Sequence, residues 1–204
     1  TTVTTYPGGP TIHHTGGTNT QAFVDRLHDA FPDAPTIWLA GSSAGGYGAT
    51  LDMHRFSDAW PSAAVDLLQD SSPFIPFVTN YETLQTAWAI AFPPGCTGCE
   101  TNFTAAFDAV VAAHPNSRIG LDTWDDDQTI AAYFGYTTSL TPVQADLIAN
   151  HYNQPHTRVF LAPGTSHTML GQLTSIAVNG VPLEVWVAQW FAGDPQWQNV
   201  GFSL

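Results

Sequence analysis

The feature that most constrains this chain is a turn of small residues, Gly41-Ser42-Ser43-Ala44-Gly45. The apolar run 37–40 before it predicts a buried strand, and the segment 44–54 after it predicts a helix. The turn fits G-x-S-x-G, a strand-to-helix junction that holds a serine in a strained backbone conformation. Glycines two positions on either side of the serine are expected to relieve the crowding. The pattern therefore predicts a nucleophile elbow, with the Ser43 hydroxyl presented at a strand end and the Ala44 N–H directed at a developing oxyanion.

Strand-like and helix-like segments alternate along the whole chain. Strands are expected at 1–6, 37–40, 63–69, 118–121 and 157–162, and helices at 21–31, 44–54, 81–90, 101–114, 128–134, 142–152 and 183–191. Such alternation predicts βαβ units, so the expected fold class is α/β, with a mostly parallel sheet covered by helices on both faces. We assign residues 1–204 to one domain and predict that the aromatic and proline-rich segment 74–100 is an insertion or lid.

The charge of the chain limits its partners. The chain has four arginines, no lysine and 17 acidic residues, so its formal net charge is −13. A surface of this kind argues against binding to nucleic acid or to an anionic membrane. No apolar run is long enough for a membrane span. The lack of lysine, the many Thr, Ser, Asn and Gly, and seven tryptophans favour a secreted, extracellular protein.

The two cysteines, Cys96 and Cys99, form a C-x-x-C pattern in a loop rich in proline and glycine. A redox motif would open a helix, and a zinc site would need two further ligands, which the nearby sequence lacks. A structural disulfide in an oxidising compartment is the favoured interpretation. The glycosylation sequon that begins at Asn102 agrees with it. We expect no metal and no cofactor.

Polar residues follow the predicted strands in the order Ser43, then aspartates, then His167. Functional groups of a parallel sheet gather at the carboxyl ends of its strands, and Ser, Asp, His is the chain order of an α/β-hydrolase triad. Ser43 needs a base, and His167 is favoured because it follows a late strand through a flexible loop. Asp125 is favoured as the acid because it follows the strand before the histidine strand. Asp70 is the alternative, and the neighbours Asp122, Asp126 and Asp127 also fit helix capping or surface positions.

Several segments resemble those of a known family. The segment 39–49 (LAGSSAGGYGA) resembles the elbow of the pectin acetylesterase and Notum family of serine carboxylesterases, especially its bacterial branch. The segment 124–128 (WDDDQ) is similar to the family's aromatic-Asp-x-x-Gln motif, which places the acid at Asp125. The segment 164–168 (GTSHT) resembles the family's Ser-x-His segment. The segment 6–16 looks like a diverged version of Pro-Tyr-Cys-Thr-Gly-Asp-x-His-x-Gly, without its Cys and Asp.

The resemblance implies an α/β-hydrolase fold and deacetylation of a polysaccharide, or removal of a fatty acyl group. It also implies strands and a glycine-rich oxyanion loop before residue 6, which this chain lacks. We therefore expect the chain to be a C-terminal portion, completed by an N-terminal fragment of the same protein that adds strands and half of the oxyanion hole.

The expected function is that of a secreted serine esterase that hydrolyses an acetyl or other acyl ester of a polysaccharide or related polymer. Ser43, His167 and Asp125 would act through an acyl-enzyme, with Ala44 in the oxyanion hole. Secreted polyhydroxyalkanoate depolymerases share a similar elbow, so a polyester depolymerase is the first alternative. Peptidase activity and a catalytically inactive binding module are the others. Trp88 and Trp124 are either substrate platforms or packing residues.

Overall fold

A parallel sheet of four strands is the centre of the fold, in a computed structural model that describes residues 2–5 and 8–202. The strands are β1 (Thr2–Thr5), β2 (Thr11–His14), β3 (Thr36–Ser42), β4 (Ala64–Asp70), β5 (Ile119–Trp124), β6 (Thr157–Ala162), β7 (Ala177–Val178) and β8 (Val181–Pro182). The helices are α1 (Gly16–Ala30), α2 (Ala44–Ala59), α3 (Tyr81–Trp88), α4 (Phe103–Ala113), α5 (Gln128–Phe134), α6 (Thr141–His151) and α7 (Leu183–Ala192), with a 3₁₀ turn at Leu170–Gln172.

The central sheet has the order β3-β4-β5-β6, and all its neighbouring strands are parallel. Successive side chains of a strand point to opposite faces, and the two core clusters follow this rule. Leu67 packs with residues of α2, α4, α5 and α6, whereas its neighbour Leu68 packs with Trp186 and Trp190 of α7. Helices therefore cover both faces, and the expected α/β class with a parallel sheet is confirmed.

The first residues differ from the prediction. The expected strand is present as β1, although Thr1 and Tyr6, like Pro7, lie outside the described residues. No strand was expected in the segment 11–20, but β2 pairs with β1 in an antiparallel hairpin. Helix α1 begins at Gly16 instead of residue 21, and its N-cap is Thr15. The helical ladder starts there because Asn19 N donates to Thr15 O at 2.9 Å.

The two edges of the central sheet have different surroundings. On the β6 side, Leu161 N donates to Val200 O and Val200 N donates to Val159 O, both at 2.9 Å. In the described part of the chain, no strand pairs with the outer edge of β3. Trp38 of β3 is 49% exposed and meets the half-exposed Phe191 ring edge-on. The strand that leads to Ser43 therefore forms an open, partly apolar edge.

The segment 74–100 lies partly in the core. Phe74 and Ile75 are fully buried, and the segment then forms α3 and a loop closed by the predicted Cys96–Cys99 disulfide, which is confirmed. Thr2 and Thr4 of the hairpin donate their hydroxyls to Ala87 O at the end of α3. The hairpin and the segment thus support each other. None of the helices in the described ranges combines the length and apolar character needed to cross a lipid bilayer.

Candidate active site

Ser43 occupies the predicted elbow between β3 and α2. Its φ of 55° and ψ of −124° lie outside the conformations that a non-glycine residue adopts without strain. Two hydrogen bonds hold this conformation: Ser43 N donates to Asp70 O at 2.8 Å, and Gly46 N donates to Ser43 O at 2.9 Å. The backbone thus places Ser43, half-buried, at the carboxyl end of β3, beside the first turn of α2.

The glycines of the turn differ in how much space a Cβ would have at each position. A Cβ on Gly41 would lie 2.2 Å from Gly45 O, and one on Gly46 would lie 1.8 Å from Ser72 Oγ. A Cβ on Gly45 would meet nothing within 4 Å. The expected crowding is therefore confirmed at Gly41 but is wrong for Gly45. It falls instead on Gly46, because α2 packs there against the segment that follows β4.

His167 follows β6 at the same end of the sheet. Its Nδ1 lies 2.7 Å from Oδ2 of Asp127, whose side chain is fully buried, while the histidine side chain is 16% exposed. A carboxylate on Nδ1 selects the tautomer that leaves Nε2 to accept a proton. In the described hydrogen-bond network, no bond joins Ser43 Oγ to His167, as is common in sites without substrate.

The carboxylate on His167 belongs to Asp127, so the prediction that Asp125 holds this histidine is wrong. Asp125 Oδ1 instead accepts from Gly164 N at 2.8 Å and shapes the loop before the histidine. Asp126 Oδ1 accepts from Leu140 N at 2.6 Å. The two loops are joined along their backbones, since Asp125 N donates to Ala162 O. This register directs the Asp127 side chain, and not that of Asp125, to the imidazole.

Asp127 also caps helix α5. Its Oδ1 accepts from the backbone N–H groups of Thr129 and Ile130, both at 3.0 Å, which leaves Oδ2 for His167. From the sequence, helix capping was an alternative to the role of acid for Asp127. One carboxylate performs both tasks, because its two oxygens face different partners.

The carboxyl ends of β4 and β5 place two buried carboxyl groups side by side. Asp70 and Asp122 are register partners, and both are fully buried. Burial, and then the charge of Asp70, raises the pKa of Asp122 well above its ordinary value. Neither oxygen of Asp122 has a donor. The raised pKa favours the protonated form of Asp122, whose O–H could donate to the neighbouring Asp70.

An apolar cavity of about 360 Å³ opens beside Ser43 and Ala44. Helices α2, α3, α4 and α5 and the segment between β4 and α3 form its walls. Its larger lining side chains are those of Tyr47, Leu51, Phe77, Tyr81, Leu84, Trp88, Ile90, Phe103, Ile130, Tyr133 and Phe134. Burial of the phenol raises the pKa of Tyr81 to about 12, so this ring is neutral at physiological pH. The cavity can hold an apolar group next to the serine.

The two tryptophans singled out from the sequence lie in different places. Trp88 lines the cavity and is 40% exposed, so it stands where a substrate platform would be useful. Trp124 does not line it. Its ring packs against the core cluster that contains Leu68, Trp186 and Trp190. Its atom Cε3 lies 2.8 Å from where a Cβ on Gly164 would be. Trp124 is therefore a packing residue of the histidine loop.

A larger and more open cleft of about 1170 Å³ borders the apolar cavity. The two share Gly48, Leu51, Trp88 and Ile90 in their walls. The cleft is more polar and includes His13, His14, Asp25, Asp52 and Arg55. A bulky polar group therefore has room next to the apolar cavity.

No protein-family model matches the chain. No curated protein matches it either. Within residues 2–5 and 8–202, no three His, Cys, Asp or Glu side chains are grouped so that they could hold a metal ion. The geometry of Ser43, His167 and Asp127 is therefore the main ground for assigning a chemical role to this chain.

Proposed function

We propose that this chain is a serine carboxylesterase of the α/β-hydrolase type, with Ser43 as nucleophile, His167 as base and Asp127 as the orienting acid. The observation that carries the proposal is the His167–Asp127 pair at the sheet edge where a strained turn presents Ser43. The match to pectin acetylesterase and Notum motifs at segments 39–49 and 164–168 supports the same assignment and is part of the proposal.

The reaction proceeds by two acyl transfers. Ser43 Oγ forms a bond to the ester carbonyl carbon while His167 Nε2 takes the hydroxyl proton. The bond from this carbon to the alcohol oxygen then breaks, and His167 returns the proton to the leaving alcohol. Water, deprotonated by His167, attacks the acyl-enzyme, and the acid and free Ser43 are released. The Ala44 N–H donates to the oxyanion in both steps.

The substrate is an ester whose alcohol part belongs to a polymer. The open polar cleft that borders the apolar cavity has room for a chain such as a polysaccharide. The apolar cavity specifically favours the second candidate, a depolymerase that acts on an aliphatic polyester, because an alkyl segment can be buried there. We propose a secreted location as well, supported by the Cys96–Cys99 disulfide.

The open edge of β3 is part of the same proposal. We propose that an N-terminal segment of the same protein adds a strand beside Trp38 and supplies the second oxyanion donor. An unpaired strand edge presents backbone N–H and C=O groups that a further strand can pair with, and the outer edge of β3 has no pairing partner among the described residues. A folded monomer of residues 1–204 with full esterase activity would contradict this part of the proposal.

The test of the function is labelling of Ser43 by a fluorophosphonate probe, together with hydrolysis of p-nitrophenyl esters, acetylated pectin or xylan, and polyhydroxybutyrate. We expect labelling in the wild type, and Ser43→Ala should abolish it and lower ester hydrolysis by about 10³- to 10⁶-fold. Absence of labelling at Ser43 in the intact wild-type protein would instead favour an inactive binding module.

A further inference from the structure

Asp70 makes contact with both halves of the candidate site, although neither Ser43 nor His167 binds its carboxylate. Its Oδ2 accepts from Ser42 Oγ at 2.5 Å, one residue before the nucleophile. Its Oδ1 accepts from Met169 N at 2.7 Å, two residues after the base. Its backbone carbonyl accepts from Ser43 N at 2.8 Å. A single buried residue at the end of β4 therefore bonds to the nucleophile turn and to the histidine loop.

These contacts join segments that are far apart along the chain. Ser42 and Asp70 are 28 positions apart, and Met169 is 99 positions beyond Asp70. In the described hydrogen bonds, no other side chain links the turn directly to the loop. A bond from a neutral donor to a buried carboxylate is stronger than a bond between neutral groups. Asp122, the register partner of Asp70 on β5, lies directly beside it.

We propose that Asp70 is a positioning residue that sets the distance between the nucleophile turn and the histidine loop. We call the hydrogen bonds of the Asp70 carboxylate to Ser42 and Met169 the tether. The effect on catalysis rests on the proposed esterase function, but the tether itself does not depend on that function. Loss of the tether allows the turn and the loop to move apart by a fraction of an ångström. A misplacement of about 1 Å can cost about 100-fold in rate, since proton transfer from Ser43 to His167 depends on their separation.

The first test uses Ser42, whose hydroxyl makes one of the two side-chain bonds of Asp70. Ser42 is exposed, so its substitution does not disturb the core. In the intact protein, Ser42→Ala should lower kcat about tenfold and leave KM within about twofold. Ser42→Thr, which keeps the hydroxyl, should restore kcat. Ser57→Ala removes a hydroxyl that bonds to Met53 O on α2, away from the site, and is the matched control with unchanged kcat.

The second test compares two changes of Asp70 itself. An asparagine can keep an acceptor for Met169 N and turn its amide toward Ser42 Oγ, whereas alanine removes both contacts. We therefore expect kcat to fall about 100-fold in Asp70→Ala and less than about tenfold in Asp70→Asn. If Asp70→Ala does not fold, the Ser42 variants decide. A purely structural role for Asp70 would lower the melting temperature of these variants but leave kcat unchanged at temperatures where they are folded.

Amide hydrogen exchange tests the tether independently of catalysis. The Met169 amide should exchange about tenfold faster in Ser42→Ala than in the wild type, because the Asp70 carboxylate loses one of its anchors. Unchanged exchange at Met169, or an unchanged kcat in Ser42→Ala, overturns the proposal. Failure of wild-type Ser43 to react with a fluorophosphonate would instead contradict the esterase function, and the exchange of Met169 would still decide on the tether.

Discussion

Asp127 and His167 are joined through one oxygen of the carboxylate, while the other oxygen caps α5. The Oδ2 of Asp127 lies 2.7 Å from Nδ1 of His167, and its Oδ1 accepts from the N–H groups of Thr129 and Ile130. The helix fixes the carboxylate, and the carboxylate fixes the ring. The Asp127 side chain is fully buried in this arrangement.

Asp127→Asn should lower kcat by about 10³- to 10⁴-fold with little loss of stability, because asparagine still caps the helix but favours the wrong histidine tautomer. Asp125→Asn is the matched control. Its amide oxygen can still accept from Gly164 N, so kcat should stay within a few-fold of the wild type. Ester hydrolysis and thermal unfolding of both variants are the measurements. A larger loss in Asp125→Asn than in Asp127→Asn would reverse the assignment of the acid.

The elbow glycines should differ in their tolerance of a methyl group. Gly46→Ala forces a Cβ into Ser72 Oγ and should lower the free energy of unfolding by about 1–3 kcal/mol. Gly45→Ala places its methyl in open space in the first turn of α2, so it should be neutral or stabilising by up to about 1 kcal/mol. Chemical denaturation of the two variants measures the difference. Equal destabilisation by both would show that the turn does not pack as described.

The apolar cavity should appear as a preference for longer acyl chains. Each methylene that enters the cavity is worth about 0.8 kcal/mol, so kcat/KM should rise by up to about fourfold per added carbon until the cavity is filled. Leu84→Trp fills part of the cavity and, if the proposed esterase function holds, should shift the substrate preference toward acetyl esters. Val185→Trp, at an exposed position on α7, is the control. If the wild type prefers acetyl esters, the cavity does not bind the acyl group of the substrate.

Asp122 should make the stability of the protein depend on pH. Its pKa in the folded protein is raised by burial and by Asp70, so the folded state holds a proton that the unfolded chain releases near pH 4. The stabilisation from this group is therefore present below the ordinary aspartate pKa and is lost as the pH rises toward the raised value. Asp122→Asn should raise the free energy of unfolding more at pH 8 than at pH 4. A variant that is equally changed at both pH values would show that Asp122 ionises normally.

The sequence pattern predicted the bounds of a helix or strand correctly where the residues of that segment alone determine its structure. Helix α5 and strand β6 have the predicted bounds, since the apolar period and the flanking turn residues define them. Thr11–His14 was not recognised as a strand. Its side chains are mostly polar and exposed and show no alternation of buried and exposed positions, and the partner that makes it a strand is β1.

The sequence by itself determined the elbow around Ser43, the alternation of the helices with the four strands of the parallel sheet, and the histidine that follows the last of these strands. These features depend on local sterics and on hydrophobic period, which neighbouring residues determine. Only the tertiary structure decided that Asp127, and not Asp125, holds His167, and that Asp70 bonds to both loops. Three consecutive aspartates differ in which way their side chains point, and that direction depends on how the loops after β5 and β6 pair through Asp125 N and Ala162 O.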